Sequence, residues 1–271
     1  MKAARFHGRG DIPIEDIPEP QLRPGTVAID IAWCGICGPD LHQYLEGPIF
    51  IPASGHPHPL THETGPVTMG HEFSGTIAAL ADSVDRLTVG ENVGVERYFV
   101  CGECRPCLSG RYNLCVKMGF ISLASGGGGL SEKIVVERGW VHPIGDIALN
   151  QVALIEPLSV GHHAFMFSGA KAGDVALVSR AGPIGLLLAA VLKAQGLTVI
   201  MSEPGGARQK MALETTVADH LIDPRLILGR SSWCRTEGPT WYLSSPRGSP
   251  LSASSVTGSK PCSTTKRPRS R

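Results

Sequence analysis

The chain has 271 residues, enough for one large domain or two ordinary ones. Its 42% hydrophobic and 18% charged residues allow a sizeable core and exclude a wholly disordered or collagen-like chain. The net charge of +1 leaves no whole-chain footprint for nucleic acid or an acidic membrane, although residues 225–271 carry +8 and residues 1–224 carry −7.

The first twenty residues, MKAARFHGRGDIPIEDIPEP, hold charges throughout and no apolar run, so no secretory signal is expected. The apolar stretch Ala181–Leu192 is too short to span a bilayer. A cytoplasmic protein follows, with no membrane or nucleic-acid partner. Its eight cysteines are then expected to be reduced and available for metal.

Residues 1–150 predict a β-rich domain. Thr26–Ala32 alternates apolar and polar side chains as a half-buried strand does. Phe73–Ala79, Asn92–Val95 and Glu132–Val136 predict further short strands, which suits a partly closed barrel or sandwich. Residues 46–68 form a long loop rich in Pro and His. The glycine run Ser125–Gly129 precedes a strand and no helix, so it reads as a flexible turn and not as a phosphate cradle.

Residues 151–224 follow a different pattern. Val152–Ala170 has helical apolar spacing, Asp174–Ser179 is a buried-strand run, and Pro183–Gln195 is an apolar helix with Pro in its opening turn. Leu197–Ser202, Ala207–Thr215 and His220–Asp223 continue the strand–helix–strand order, which predicts a parallel sheet. Residues 225–271 contain eleven Ser, five Thr, five Pro and four Gly. That composition predicts a disordered tail, with an ordered irregular extension as the alternative.

Two sets of candidate metal ligands stand out. Cys101, Cys104, Cys107 and Cys115 bring four thiols into one short loop, which suits a closed structural zinc site; an iron–sulfur cluster or inert thiols are the alternatives. Cys37 in CGICGPDLH and His71-Glu72 in MGHEFSG offer a thiol, an imidazole and a carboxylate, a mixed set of the catalytic kind. Glu156 in LIEPLSVG is a candidate fourth carboxylate or, alternatively, an acid favoured at a helix N-terminus.

GHEFSG, the four-cysteine loop and LIEPLSVGHHA, in that order before a dinucleotide-binding unit, resemble the zinc-containing medium-chain alcohol and polyol dehydrogenases. The butanediol dehydrogenase group, near sorbitol and threonine dehydrogenases, is the nearest within it. The resemblance covers about residues 1–224. It implies a GroES-like catalytic domain followed by a Rossmann-type parallel sheet, an α/β architecture. It implies Cys37, His71 and Glu72 as catalytic zinc ligands, Glu156 near or exchanging onto that metal, and the four cysteines around a structural zinc. It implies His42 as the outer proton-relay histidine. Pro39 stands where the family usually has Ser or Thr. His56, His58 and His62 match no ligand position and read as a solvated loop.

The cofactor implied is NAD. The family's G-x-G-x-x-G fingerprint appears here as Arg180-Ala181-Gly182-Pro183-Ile184-Gly185, with Arg180 at the first glycine position. A positive φ there would cost of order 1–2 kcal/mol. Glu203 ends the next strand, where an acid binds a ribose 2′-hydroxyl and favours NAD over NADP; a solvated strand-end residue is the alternative. About three parallel strands fit before the tail, so the sheet is expected to be truncated. The family would imply a homo-oligomer, and the truncation argues against one. The function expected is hydride transfer between a secondary alcohol or vicinal diol and NAD. A catalytically inactive zinc-binding fragment is the competing expectation.

Overall fold

The computed structural model describes residues 1–124 and 127–226, together with the backbone of residues 240–244 and 255–259. The chain divides into two compact units, Met1–Glu156 and a second beginning at Pro157.

The first unit is built on a five-stranded antiparallel sheet in the order Val141–Pro143, Asn92–Val95, Glu72–Leu80, Thr26–Gly35, Lys133–Glu137, curled as a half-barrel. Val27, Ile29, Phe73, Ile77, Val93, Ile134 and Val136 point inward and form its core. Each such side chain contributes roughly 1.5–3 kcal/mol by leaving water. The alternation expected over Thr26–Ala32 is only partly kept, because Thr26 and Ala28 are buried as well. Thr26 tolerates burial because its hydroxyl donates to the Arg23 carbonyl at 2.7 Å and accepts the Arg23 N–H at 2.9 Å.

The pairing of Thr26–Gly35 with Glu72–Leu80 slips twice, between Ala28 and Ile29 and between Ile31 and Trp33. Such irregularities bend a strand and re-aim its end. Here the slipped end sets Gly35 opposite Glu72. A Cβ on Gly35 would lie 2.5 Å from a Glu72 carboxylate oxygen, so only glycine permits this approach. Two residues later Cys37 opens the helix Gly38–Glu46, an element that the sequence pattern does not announce.

Gly128 and Gly129 are not the flexible turn expected of their run. A Cβ on Gly128 would collide with the carbonyls of Thr68 and Met69, and the Gly129 N–H donates to the Gly70 carbonyl at 2.7 Å. These glycines let one backbone lie against another. Ser125 and Gly126 lie outside the described residues.

The second unit holds a sheet in the order His220–Ile222, Thr198–Ser202, Val175–Ser179, Thr240–Ser244, Ser255–Ser259. The first four strands are parallel and the last is antiparallel. Helix Pro183–Ala194 buries Gly185, Leu188, Ala189, Val191 and Leu192, a stripe with helical spacing. That stripe packs with Ala176, Val178, Val199 and Met201 into one apolar core. The three expected strands are present, and Thr240–Ser244 and Ser255–Ser259 add two more. Within the span from residue 225 expected to be a disordered tail, the backbones of these ten residues pair in the ladder. The rest of the span from residue 227 lies outside the described residues. Among the described residues no helix is long and apolar enough to cross a membrane.

Candidate metal and cofactor sites

One ligand atom each from Cys37, His71 and Glu72 converge, all within 4.8 Å of one another. Three elements supply them: the helix N-terminus at Cys37, the turn at Gly70–His71 and the strand that opens at Glu72. Gly70 has φ +89, and a Cβ there would lie 2.6 Å from the Cys34 sulfur, so the turn into His71 needs glycine. His71 is 1% exposed. Burial pushes its pKa down to about 3, so the imidazole is neutral and fit to bind metal. Its Nδ1 lies 3.3 Å from the Ser122 hydroxyl and 3.5 Å from an Asp40 carboxylate oxygen. Asp40 Oδ1 makes no hydrogen bond, so Nδ1 has the Ser122 hydroxyl as its hydrogen-bond partner and Nε2 could bind a metal.

The electrostatics of this site call for a cation. Asp40, Glu72 and Glu156 are mutually within electrostatic reach, and burial pushes Asp40 up to about 6 and Glu156 up to about 7. The Cys37 thiol is pushed well above the ordinary range, first by burial and then by Glu72 and Glu156. Arg97 is the cation that faces this group: its guanidinium lies 2.7 Å from a Glu156 oxygen, both side chains being about 15% exposed or less. The donor set of thiol, imidazole and carboxylate suits a divalent zinc ion, whose charge would offset the surplus of acids. Glu156 stands beside this set through Arg97 and is not among the converging donors. His42 is half-buried on the helix that Cys37 opens and is also outside the donor set.

The second cluster is Cys101, Cys104, Cys107 and Cys115, again with all four sulfurs within 4.8 Å. A tetrahedral ion with bonds of about 2.3 Å to sulfur needs sulfur–sulfur edges of about 3.8 Å. The pairs Cys104–Cys107, Cys115–Cys101 and Cys101–Cys107 stand at 3.4, 3.5 and 4.0 Å. The N–H groups of Cys101 and Lys117 donate to the Cys115 sulfur at 3.3 and 3.4 Å, the arrangement expected around a thiolate. Gly102 and Gly110 adopt φ +71 and +75, which the tight loop requires. Four thiols fit zinc and fill its coordination.

In the second unit, Gly182 caps helix Pro183–Ala194, with Pro183 in the first turn and Ile184 after it. A Cβ on Gly182 would meet nothing within 4 Å, the open approach that a pyrophosphate needs at a helix N-terminus. A Cβ on Gly185 would collide with the Arg180 carbonyl, so this glycine is required by packing of helix on strand. Arg180 has φ +78, the left-handed conformation anticipated for that position and costly for any residue with a Cβ. Glu203 is 2% exposed and accepts the Ala181 N–H at 2.8 Å and the Gly205 N–H at 2.7 Å. It is not a solvated strand-end residue. Its carboxylate is fixed at the end of the strand beside the glycine turn, where a ribose hydroxyl can donate to it.

Residues 23–146 match the family described as alcohol dehydrogenase GroES-like domain. The chain is 61% identical over 225 residues to an (R,R)-butanediol dehydrogenase of Neisseria gonorrhoeae, covering 83% of this chain and 64% of that protein. It is 34% identical over 242 residues to a 2-dehydro-3-deoxy-L-galactonate 5-dehydrogenase of Pseudoalteromonas atlantica, covering 88% of this chain and 67% of that protein. The crystal structure of 2R,3R-butanediol dehydrogenase from Bacillus subtilis superposes with a TM-score of 0.78 at 46% identity, over 84% of this chain and 64% of that one. The chain belongs to the zinc-containing medium-chain alcohol dehydrogenase family. It spans less than two thirds of the length of the butanediol dehydrogenases it matches. Zinc and a nicotinamide cofactor are the groups of this family.

Within the family frame, two departures have a structural position. Pro39 lies in the first turn of the helix opened by Cys37, where it brings no hydroxyl near the site. Arg180 occupies the left-handed turn. Three further residues come from the structure and not from motif reading. Asp40 accepts the Cys37 N–H at 3.0 Å and faces His71, and its spacing from Cys37, an acid three residues into a helix, was the available signal. Ser122 sits at φ +77 with no exposed surface, and Arg97 pairs with Glu156 at 2.7 Å; neither carries a sequence signal.

Proposed function

We propose that this chain is a zinc-dependent oxidoreductase that moves a hydride between a secondary alcohol or vicinal diol of the butanediol kind and NAD. The observation that carries the reading is the convergence of Cys37, His71 and Glu72 within 4.8 Å in a buried setting where carboxylates outnumber cations. Three donors leave a tetrahedral ion one position for substrate, whereas the four-thiol loop leaves none. We assign the first as the catalytic zinc site and the second as the structural one.

Zinc bound there would polarise the alcohol oxygen, and NAD would accept the hydride. The chain's own residues do the rest. Cys37, His71 and Glu72 would hold the ion, and the Ser122 hydroxyl orients the ring of His71. Glu156 keeps a carboxylate, paired with Arg97, within electrostatic reach of the donor set. His42, on the same helix as Cys37, is the outer group of the proton path to solvent; since Pro39 has no hydroxyl, water must carry the proton to it. Gly182, Pro183 and Ile184 receive the pyrophosphate at the helix N-terminus, Gly185 seats that helix, and Glu203 accepts from the ribose hydroxyl and disfavours a 2′-phosphate. Residues 1–150 would then form the catalytic part and residues 151–224 the cofactor part, in a cytoplasmic setting that keeps the thiols reduced.

The test is turnover of the zinc-loaded chain with (R,R)-2,3-butanediol and NAD+, followed by formation of reduced nicotinamide. Zinc-dependent turnover that Cys37→Ala abolishes is the expected result. No turnover with any diol or secondary alcohol would assign the chain to an inactive zinc-binding fragment.

A further inference from the structure

The ion pair beside the three-donor site has a role that the catalytic reading does not absorb. Arg97 follows strand Asn92–Val95 by two residues, and its guanidinium is held on three sides. Nη1 lies 2.7 Å from Glu156 Oε1; the guanidinium carbon stands 4.6 Å from the Phe120 ring centroid and 5.6 Å from that of Tyr98. Its backbone carbonyl accepts the Ile121 N–H at 2.8 Å. The head therefore has little freedom, and a guanidinium on aromatic faces is a stable perch for a buried cation. Glu156, in the first turn of helix Ile155–Ser168, is the partner that this fixed head can position.

Glu156 has every other reason to bind metal. It is a carboxylate with about one-eighth of its side chain exposed, and its charge is felt at Cys37 and by Glu72. Yet it is not among the donors that converge within 4.8 Å. The ion pair with Arg97 accounts for that displacement. An acid drawn to a fixed guanidinium is an acid withheld from the neighbouring ion.

We propose that Arg97 is a positioning residue that latches Glu156 off the metal and so keeps the fourth coordination position open to substrate. This rests on the reading of Cys37, His71 and Glu72 as an open metal site. Arg97 is not one of the three converging donors; its charge is felt at Cys37 and His71, and its 2.7 Å ion pair is with Glu156, through which the latch acts.

The test uses the chain with zinc in the four-thiol loop and cobalt(II) in the three-donor site, and imidazole as the probe of the open position. The imidazole-dependent change in the visible cobalt bands gives its affinity without any turnover; the closed four-thiol site does not respond. The expected result is that Arg97→Met weakens imidazole binding by about tenfold or more, because Glu156 occupies the position. The double variant Arg97→Met/Glu156→Gln should return to within about threefold of the parent, since a neutral amide is a poor competitor for the ion. A merely structural Arg97 would give no such restoration. Arg97→Gln, which keeps a hydrogen-bonding head, carries the same expectation if the methionine variant folds poorly, and the double variant removes both buried charges together. Unchanged imidazole affinity in the single variants, or a double variant no better than the single, overturns the latch. Failure of the parent chain to take cobalt or imidazole at this site overturns the underlying metal reading instead, and the latch with it.

Discussion

Cys37 decides how the three-donor site responds to pH. Its thiol, buried and facing Glu72 and Glu156, holds its proton through neutral pH, whereas His71 is already neutral. A metal takes the thiolate, so binding must expel one proton, and affinity rises as pH rises. Between about pH 7.5 and 8.5, above the titration of Glu156 near 7 and Asp40 near 6, the cobalt affinity should climb about tenfold per pH unit. A flat profile in a metal-competition titration would mean that Cys37 is not a ligand. Ser122 gives a second test at this scale. Its φ of +77 carries strain of about 1–3 kcal/mol, and its hydroxyl faces His71 Nδ1 at 3.3 Å. Ser122→Gly relieves the strain and removes the contact. The metal-free variant should melt no lower than the parent, while metal affinity falls about tenfold. Affinity that follows stability upward would make Ser122 a packing residue only. Cys37, His71 and Glu72 were legible because each is embedded in a glycine-rich motif. Ser122 and Arg97 were not, because a hydroxyl or guanidinium next to a ligand in space leaves no spacing in the chain.

Between Asp174 and Asp223 the strands and helices were legible nearly to the residue: helix Pro183–Gln195 was expected and Pro183–Ala194 is found, since one apolar stripe and a proline mark it; the helix expected over Val152–Ala170 is found as Ile155–Ser168. Helix Gly38–Glu46 was missed although Leu41, Tyr44 and Leu45 stand at helical spacing, because the stripe is short and exposed and Gly38-Pro39 at its start reads as a turn. The glycine turn before helix Pro183–Ala194 departs from its fingerprint only at Arg180, whose φ of +78 suits glycine. Arg180→Gly should tighten NADH binding by freeing the phosphate turn. Its stability should stay within about 1 kcal/mol of the parent, since relief of the left-handed strain is offset by the freer unfolded chain. Fluorescence titration and a melting curve check both; weaker NADH binding would show that Arg180 holds phosphate. The four-cysteine loop is a separate element whose sulfurs are its own core. Cys104→Ala should lower the folded yield more than Cys37→Ala, because a closed thiolate site contributes folding energy. Equal soluble yields would contradict that division of roles.

At the scale of the molecule, the α/β architecture was legible because its two units follow two different rules. In the first, short strands broken by Gly and Pro predicted a partly closed barrel or sandwich, and an antiparallel sheet is found; in the second, alternating strands and helices predicted a parallel sheet. What the overall composition of residues 225–271 did not show is the pairing of Thr240–Ser244 beside Val175–Ser179, since the short run Trp241-Tyr242-Leu243 is averaged away among the surrounding Ser, Thr, Pro and Gly. The account rests on two metal sites of different kinds in the first unit. Zinc counted by elemental analysis in the purified chain and in Cys37→Ala tests it most directly. The parent chain should hold two zinc ions, and Cys37→Ala one, with the four-thiol site still filled. One zinc or fewer in the parent chain, or two retained in Cys37→Ala, would contradict it.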